Sequence, residues 1–365
     1  MTGDVLLTFN PGSSSIKLGL FAIDAGAARV IARRSFDAPP DALSGVIEQA
    51  LDWVNDAAPC ARLIAAGHRV VHGGDAFDGP VAITAHTLAL IESLAPLAPL
   101  HQPQSLALIH ALRRAAPTLA QSASFDTAFH RSQSAASRRY ALPRELFGQG
   151  IKRYGFHGLS YQFIASQLRQ QHPNIAAGRV VVAHLGSGAS LCGLLDGASQ
   201  ETSMGFSTLD GIPMATRSGA LDPGALLYLL KQPGQSIDKV ENMLYHHSGL
   251  AGLSGISGDV RILLASDAPE AREALALYAL RIAREVAAIA TTLGGLDALV
   301  FTAGIGENQP AVREAVCRHL AWLGVAPEPS DSRIAVFVMH TDEEQVIADE
   351  ACQVLSLHQT TGASP

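Results

Sequence analysis

Positive charge is in short supply in this chain. Its 26 Lys and Arg face 33 Asp and Glu, giving a formal net charge of −7. No basic stretch is present to neutralise a phosphate backbone, which argues against general nucleic-acid binding and against a polybasic membrane patch. A small anionic ligand stays open, because a few buried arginines can bind it whatever the global charge. The four cysteines (Cys60, Cys192, Cys317, Cys352) are scattered, with neither a C-x-x-C pair nor metal-ligand spacing. They read as small apolar residues in a reducing compartment. No uncharged apolar segment reaches the roughly 18 residues that span a bilayer. The most hydrophobic helix candidate, Ala274–Leu293, is interrupted by Arg281, Arg284 and Glu285. The N-terminus has no basic n-region, so a soluble cytoplasmic protein is expected. G-x-x-x-x-G-K-[ST] is missing, as is the G-x-G-x-x-G fingerprint, which argues against Walker-type and dinucleotide sites.

What is present is a strand–turn–strand that occurs twice. Val5–Phe9 is apolar and β-prone, breaks at Asn10-Pro11-Gly12-Ser13-Ser14-Ser15, and resumes at Ile16–Phe21. Val180–His184 breaks at Leu185-Gly186-Ser187-Gly188-Ala189-Ser190 and resumes at Leu191–Leu195. Turns rich in Gly and Ser leave backbone N–H groups unencumbered and add hydroxyl donors, which suits phosphate oxygens. Each is also what an ordinary tight hairpin needs. The repetition favours two related lobes gripping a polyphosphate between them.

With 365 residues, 48% of them hydrophobic, the chain can build two domains or one large α/β unit. Strand-like runs at Val5–Thr8, Ile16–Phe21, Leu63–Val71, Ser122–Phe125, Val180–Ala183, Leu191–Leu194, Ala298–Thr302 and Arg333–Met339 alternate with helical ones. The helical runs are Asp41–Asn55, Thr84–Ser93, Gln104–Ala115, Leu159–Gln171, Ala225–Lys231, Glu270–Leu293 and Ala311–Leu323. Such alternation predicts an α/β protein with a mixed sheet in each lobe. Asp41 is a candidate N-cap, and Pro223 suits a first helical turn. Apolar periodicity lapses over Phe129–Gly150, which places the lobe boundary there. The expected lobes are 1–128 plus 341–365, and 129–340. Thr341-Asp342-Glu343-Glu344 opens a capped terminal helix that can return to the first lobe.

Several constellations can carry chemistry. Gly67-His68-Arg69-Val70-Val71-His72-Gly73-Gly74 presents Arg69 at a strand end, where its planar guanidinium suits a bidentate grip on carboxylate or phosphoryl oxygens. A surface arginine with turn glycines reads the same way. Asp126 ends an apolar strand in Ser124-Phe125-Asp126-Thr127-Ala128-Phe129-His130, as an active-site carboxylate or a helix cap. His157 stands between glycines in Arg153-Tyr154-Gly155-Phe156-His157-Gly158, able to reach a ligand or to serve the fold. Arg217 lies in Met214-Ala215-Thr216-Arg217-Ser218-Gly219; two arginines in one cleft are what anionic phosphoryl transfer needs. Gly304-Ile305-Gly306-Glu307-Asn308 follows a buried strand and is either a surface for adenine and ribose or a tight strand-to-helix turn.

Taken in order, these motifs resemble the acetate kinase family, which includes propionate and butyrate kinases. The matching segments run from Asn10 to Glu344. The resemblance implies the duplicated ribonuclease-H-like (actin-like ATPase, sugar-kinase-type) fold with the active site between the lobes. It also implies ATP, Mg2+ or Mn2+, and a homodimer. By position, Asn10 and Glu343 (with Glu344 as second choice) resemble the magnesium-associated residues, and Ser13, Ser15 and Lys17 the first phosphate-facing turn. Arg69 and Arg217 match the arginines that hold carboxylate and phosphoryl group, Asp126 the catalytic aspartate, and His157 the histidine that stabilises the transition state. His184, Leu185, Gly186, Ser187, Gly188 and Ser190, then Asp259, Val260 and Arg261, then Gly304, Ile305, Gly306, Glu307 and Asn308, match the nucleotide-binding regions. Val71, Leu100 and Phe156 resemble the alkyl pocket, with Thr208 close to it.

The chain departs from the family pattern at Ser187 (usually Asn), Thr208 (usually Pro), Ala215 and Ala220, and it is shorter between Gly19 and Ala66 and between Gln309 and His340. The implied activity is reversible transfer from ATP to a short-chain carboxylate by direct in-line attack, with acetate giving acetyl phosphate. Propionate or butyrate kinase, a pyrophosphate-using variant and a non-catalytic nucleotide-binding regulator are the alternatives. Retention of Arg69, Asp126, His157 and Arg217 together speaks against the last of these.

Overall fold

The computed structural model describes residues 3–12, 15–24, 26–36, 43–326 and 332–355. Ser13 of the first phosphate-facing turn and the expected cap Asp41 lie outside the described residues. Residues 3–131, 158–163 and 342–355 form one compact unit, and residues 132–157 and 164–341 form the other.

In the first unit, β1 (Asp4–Pro11) pairs antiparallel with β2 (Ile16–Asp24), which pairs antiparallel with β3 (Ala27–Phe36). On the other side of β1, β4 (Arg62–Val70) and β6 (Ala120–Phe125) run parallel to it, with the short β5 (Val81–Ala82) at the edge. Period-two alternation explains why β1 is apolar throughout. Val5, Leu7 and Phe9 pack into a core with Val46, Ile47, Trp53, Leu108 and Leu112, which come from the helices Leu43–Ala57 and Gln102–Ala115. Leu6 points the other way, into a core with Phe21, Ala65, Ala348, Ala351 and Cys352. The last three belong to the terminal helix Glu343–Val354, so that helix does pack on this sheet.

In the second unit, β7 (Arg179–Leu185), β8 (Ala189–Leu195) and β9 (Ala198–Thr202) form an antiparallel meander, and β10 (Ala298–Thr302) and β11 (Ala335–Val338) extend the sheet parallel to β7. The order β9-β8-β7-β10-β11 repeats the order β3-β2-β1-β4-β6. The hairpin echo in the sequence is therefore one feature of a duplicated fold, the actin-like ATPase arrangement of two mixed sheets flanked by helices. The long helix Pro269–Leu293 covers β7 and β8 through Ile282, Val286 and Ile289. Its three charged interruptions do not break it, because Arg281 and Arg284 fall off the buried stripe.

Several expectations need correction. β3, β5 and β9 were not anticipated: β3 carries Arg29, Arg33 and Arg34 among few buried residues, as an edge strand does. Gly304–Asn308 is not a turn but part of the helix Ala303–Asn308, entered through Ala303 at φ +65°. The expected helix 311–323 is Pro310–His319 followed by a separate turn of helix at Ala321–Leu323. The terminal helix is capped by Asp342, whose side chain accepts from the Gln345 N–H, and not by Thr341. Pro223 opens the helix Pro223–Leu230, with Asp222 as its cap.

Candidate active site

In the first unit the chemistry gathers at the carboxyl ends of parallel strands, where open α/β sheets bind ligands. Arg69 is the next-to-last residue of β4, and Asp126 follows the last residue of the neighbouring β6. Asp126 is 1% exposed. It takes the Arg69 fork in a bidentate pair, with Nε to Oδ1 at 2.9 Å and Nη2 to Oδ2 at 2.6 Å. Nη1 donates to the Pro11 carbonyl at 2.7 Å and to Asn10 Oδ1 at 3.3 Å. The edge expected to grip a substrate is thus engaged by Asp126. Burial works against the Arg69 charge, yet Asp126, and then Glu343 and Glu344, hold its pKa above the usual guanidinium value. Arg69 is a fixed cation.

Asn10, at the end of β1, donates from Nδ2 to Glu343 Oε2 at 2.9 Å and Glu344 Oε1 at 2.6 Å. Both glutamates stand in the first turn of the terminal helix. Burial, then the neighbouring Glu343 charge, push the Glu344 carboxyl above its ordinary pKa. Two adjacent carboxylates, their repulsion only partly offset by Asn10 and Lys17, are hard oxygen donors that fit Mg2+. Glu343 is the more exposed of the two. The Asn10 amide thus bridges Arg69 to the two glutamates. Among the described residues no group of three His, Cys, Asp or Glu has metal-holding geometry. Lys17 is exposed and acts electrostatically on Glu344, while the Ser15 carbonyl accepts from the Gly12 N–H at 2.8 Å.

In the second unit, His157 caps the helix Gly158–Gln171 in the left-handed region, at φ +58°. Its Nδ1 lies 2.8 Å from Ser190 Oγ, and its ring stacks on His184 with centroids 4.3 Å apart. Arg217 Nη1 donates to the Thr208 carbonyl at 3.4 Å and lies 3.9 Å from Met214 Sδ. The β7–β8 turn is closed by the Gly186 N–H donating to the Gly188 carbonyl at 3.1 Å. The Ser187 carbonyl accepts from the Ala215 N–H at 3.2 Å, which ties this turn to the Arg217 loop. A Cβ built on Gly188 would lie 3.4 Å from His157 Nε2 and 3.8 Å from Arg217 Nη1. The imidazole and the guanidinium thus both approach the glycine of this turn.

The remaining expected residues are placed as follows. Glu307 Oε1 accepts from the Ala303 N–H at 3.0 Å, and Oε2 pairs with His340 Nδ1 at 2.9 Å, so its carboxylate secures the start of its helix. Asn308 Nδ2 donates to the Gly304 carbonyl, and a Cβ on Gly304 would meet nothing within 4 Å, which leaves its face open. Asp259 caps the helix Val260–Leu264, and its carboxylate pairs with the exposed Arg261 at 2.6 Å. Val71 and Phe156 are buried, whereas Leu100 is 46% exposed. Thr208 is buried, and its side chain, with that of Ser207, is a partner of the Tyr245 hydroxyl, whose pKa burial raises. Tyr245 was not among the expected residues. Its segment Leu244-Tyr245-His246-His247 carries no motif that would have singled it out.

The Acetokinase family's sequence signature matches residues 35–349. An acetate kinase from Rhodopseudomonas palustris (strain TIE-1) is 44% identical over 385 aligned positions, which cover 94% of this chain and 97% of that protein. The chain belongs to the acetokinase family. An acetate kinase from Methylocella silvestris is 47% identical, covering 85% of this chain and 80% of its own length. Among solved structures, Porphyromonas gingivalis acetate kinase matches with a TM-score of 0.84 at 30% identity, over 97% of this chain and 100% of that one. A propionate kinase from Francisella tularensis matches with the same TM-score at 33% identity, over 96% and 99%.

Proposed function

We propose that this protein transfers the γ-phosphoryl group of ATP reversibly to acetate, by direct in-line attack, giving acetyl phosphate and ADP. The observation that carries the reading is the approach of His157 Nε2 and Arg217 Nη1 to Gly188 in the Gly/Ser turn. The acetate kinase relatives support the choice of acid.

A carboxylate with a pKa of about 4 is ionised at neutral pH, so no general base is needed. What remains is to hold two anions in line and to offset charge on the moving group. Arg217 and His157 would donate to phosphoryl oxygens beside Gly188. Asp126, already committed to Arg69, orients that cation and does not abstract a proton. Glu343, with Glu344 behind it, would hold Mg2+, which neutralises phosphate charge when bound. Ser15, Lys17, His184–Ser190 and Gly304–Asn308 line the nucleotide path, and Val71, Leu100, Phe156 and Thr208 the acyl end. We assign the two groups of residues to one reaction. Each charge-stabilising donor of this kind typically contributes about 3 kcal/mol.

Purified protein with ATP, Mg2+ and acetate is expected to form an acyl phosphate that hydroxylamine traps as a hydroxamate. ATP binding without any trapped product, from acetate, propionate or butyrate, would return the protein to the class of nucleotide-binding regulators. Propionate is the second reading, favoured by the propionate kinase match. One methylene is worth only about 1 kcal/mol in a pocket, so rates across the three acids decide it.

We also propose a homodimer and a cytoplasmic location. The helix Pro223–Leu230 has no buried residue although its sequence is Pro-Gly-Ala-Leu-Leu-Tyr-Leu-Leu. Leu227 is 57%, Tyr228 67% and the neighbouring Ile237 73% exposed. Such a helix fits burial against a second copy. Among the described residues no helix is long and apolar enough to cross a membrane.

A further inference from the structure

The second unit contains a half-buried polar knot that the reaction as described does not use. Arg153, four residues before His157, donates from Nη2 to the Thr202 carbonyl at 2.7 Å and the Ser203 carbonyl at 3.3 Å, and from Nη1 to Asp210 Oδ2 at 3.2 Å. Its Nε lies 3.8 Å from Glu201 Oε1. The Tyr140 hydroxyl accepts from the Phe206 N–H at 2.7 Å, and Arg153 sits over the Tyr140 ring. The backbone closes the same gap. The Tyr154 and Gly155 N–H groups both donate to the Gly205 carbonyl, at 3.0 and 3.3 Å. A Cβ on Gly205 would collide with both the Tyr140 hydroxyl and Asp210 Oδ2, so a larger residue there would displace these two side chains. Two chain segments are thereby fastened together: 153–157, which ends at His157, and 202–210, whose Thr208 carbonyl receives Arg217.

We propose that Tyr140, Arg153 and Asp210 are positioning residues that set the spacing of His157 and Arg217 by locking these two segments into one block. Nothing in the knot touches a reacting atom. Its effect passes through the Thr208 carbonyl to the guanidinium and through Phe156 to the imidazole. Arginine is required because it serves two carbonyls and a carboxylate at once, and a lysine ammonium on a flexible stem cannot hold that set in one plane.

The inference rests on the proposed acyl-phosphate reaction, and its test carries one readout that does not. Tyr140→Phe removes a single oxygen, Asp210→Asn removes a charge at constant shape, and Arg153→Lys keeps a charge but loses the fork. We expect kcat for acetate to fall about tenfold or more in each, with KM for ATP within about twofold. The propionate-to-acetate preference should shift, because Phe156 and Thr208 move with the block. Backbone amides of 154–156 and 203–208 should exchange with deuterium faster in Tyr140→Phe, while those of β7 and β10 keep wild-type rates. Wild-type kcat and preference in both Tyr140→Phe and Asp210→Asn, or unchanged exchange at 154–156 and 203–208, would overturn the proposal. An inactive wild-type enzyme would instead sink the reaction, and the exchange rates would still decide whether the block exists.

Discussion

At the scale of single residues, the Arg69–Asp126 pair yields the sharpest expectation. Asp126→Asn keeps the shape but leaves a buried guanidinium half-compensated, so both orientation and local charge suffer. Acyl-phosphate formation is expected to drop at least ~100-fold with little change in ATP binding, which steady-state kinetics and calorimetry check together. His68 and His72 give a pH dependence. Burial holds the pKa of each down at about 4, against the partial support of Gln121 for His68 and of Asp75 for His72. Both are neutral in the folded chain, and the unfolded chain binds the extra protons near pH 6.5. Their contribution is complete above pH 6.5 and is lost as pH falls from 6.5 towards 4, at about 3 kcal/mol per histidine. The melting temperature should decline over that window, and His68→Gln should flatten the slope. Identities at strand ends were legible in the sequence, since Arg69, Asp126 and His157 sit where turn residues expose them. That Asp126 would take the Arg69 fork was not, because a pairing 57 residues apart depends on strand order.

At the scale of elements, the terminal helix Glu343–Val354 holds Glu343 and Glu344 in place by packing its far end on the sheet. Ile347, Ala348 and Ala351 are fully buried there. Ile347→Ala should cost about 2–5 kcal/mol of stability in denaturant unfolding and weaken the Mg2+ dependence of activity. Substituting Gly188 is a separate matter. Gly188→Ala introduces a methyl 3.4 Å from His157 Nε2, with no expected loss of fold but a raised KM for ATP. Most strands and long helices were legible because period-two and 3.6-residue patterns persist over many residues. β3, β5, β9 and the short helices between 128 and 148 were not. Two-residue or half-exposed elements carry too little pattern, and their pairing partners determine them. The helix Ala303–Asn308 escaped notice because its glycines argue locally for a turn.

At the scale of the whole molecule, the duplication was the most legible feature: two Gly/Ser hairpins pointed to two related lobes, and the two sheets share one strand order. What the sequence left open was wiring within each unit, such as the Tyr140–Arg153–Asp210 knot, where a charged residue reads as solvated until its acceptors are known. The apolar helix Pro223–Leu230 gives a molecular expectation. Leu227→Asp with Tyr228→Asp should convert a dimer to monomers in analytical ultracentrifugation, and a wild-type monomer would remove the proposed interface. The central proposal is that Arg69 and Arg217 act together in one phosphoryl transfer. A double-mutant cycle on kcat/KM for acetate, with Arg69→Gln, Arg217→Gln and both together, measures it directly. Joint action predicts that the double variant loses far less than the product of the single losses. Losses that simply multiply would show that the two arginines are not coupled and would contradict the account.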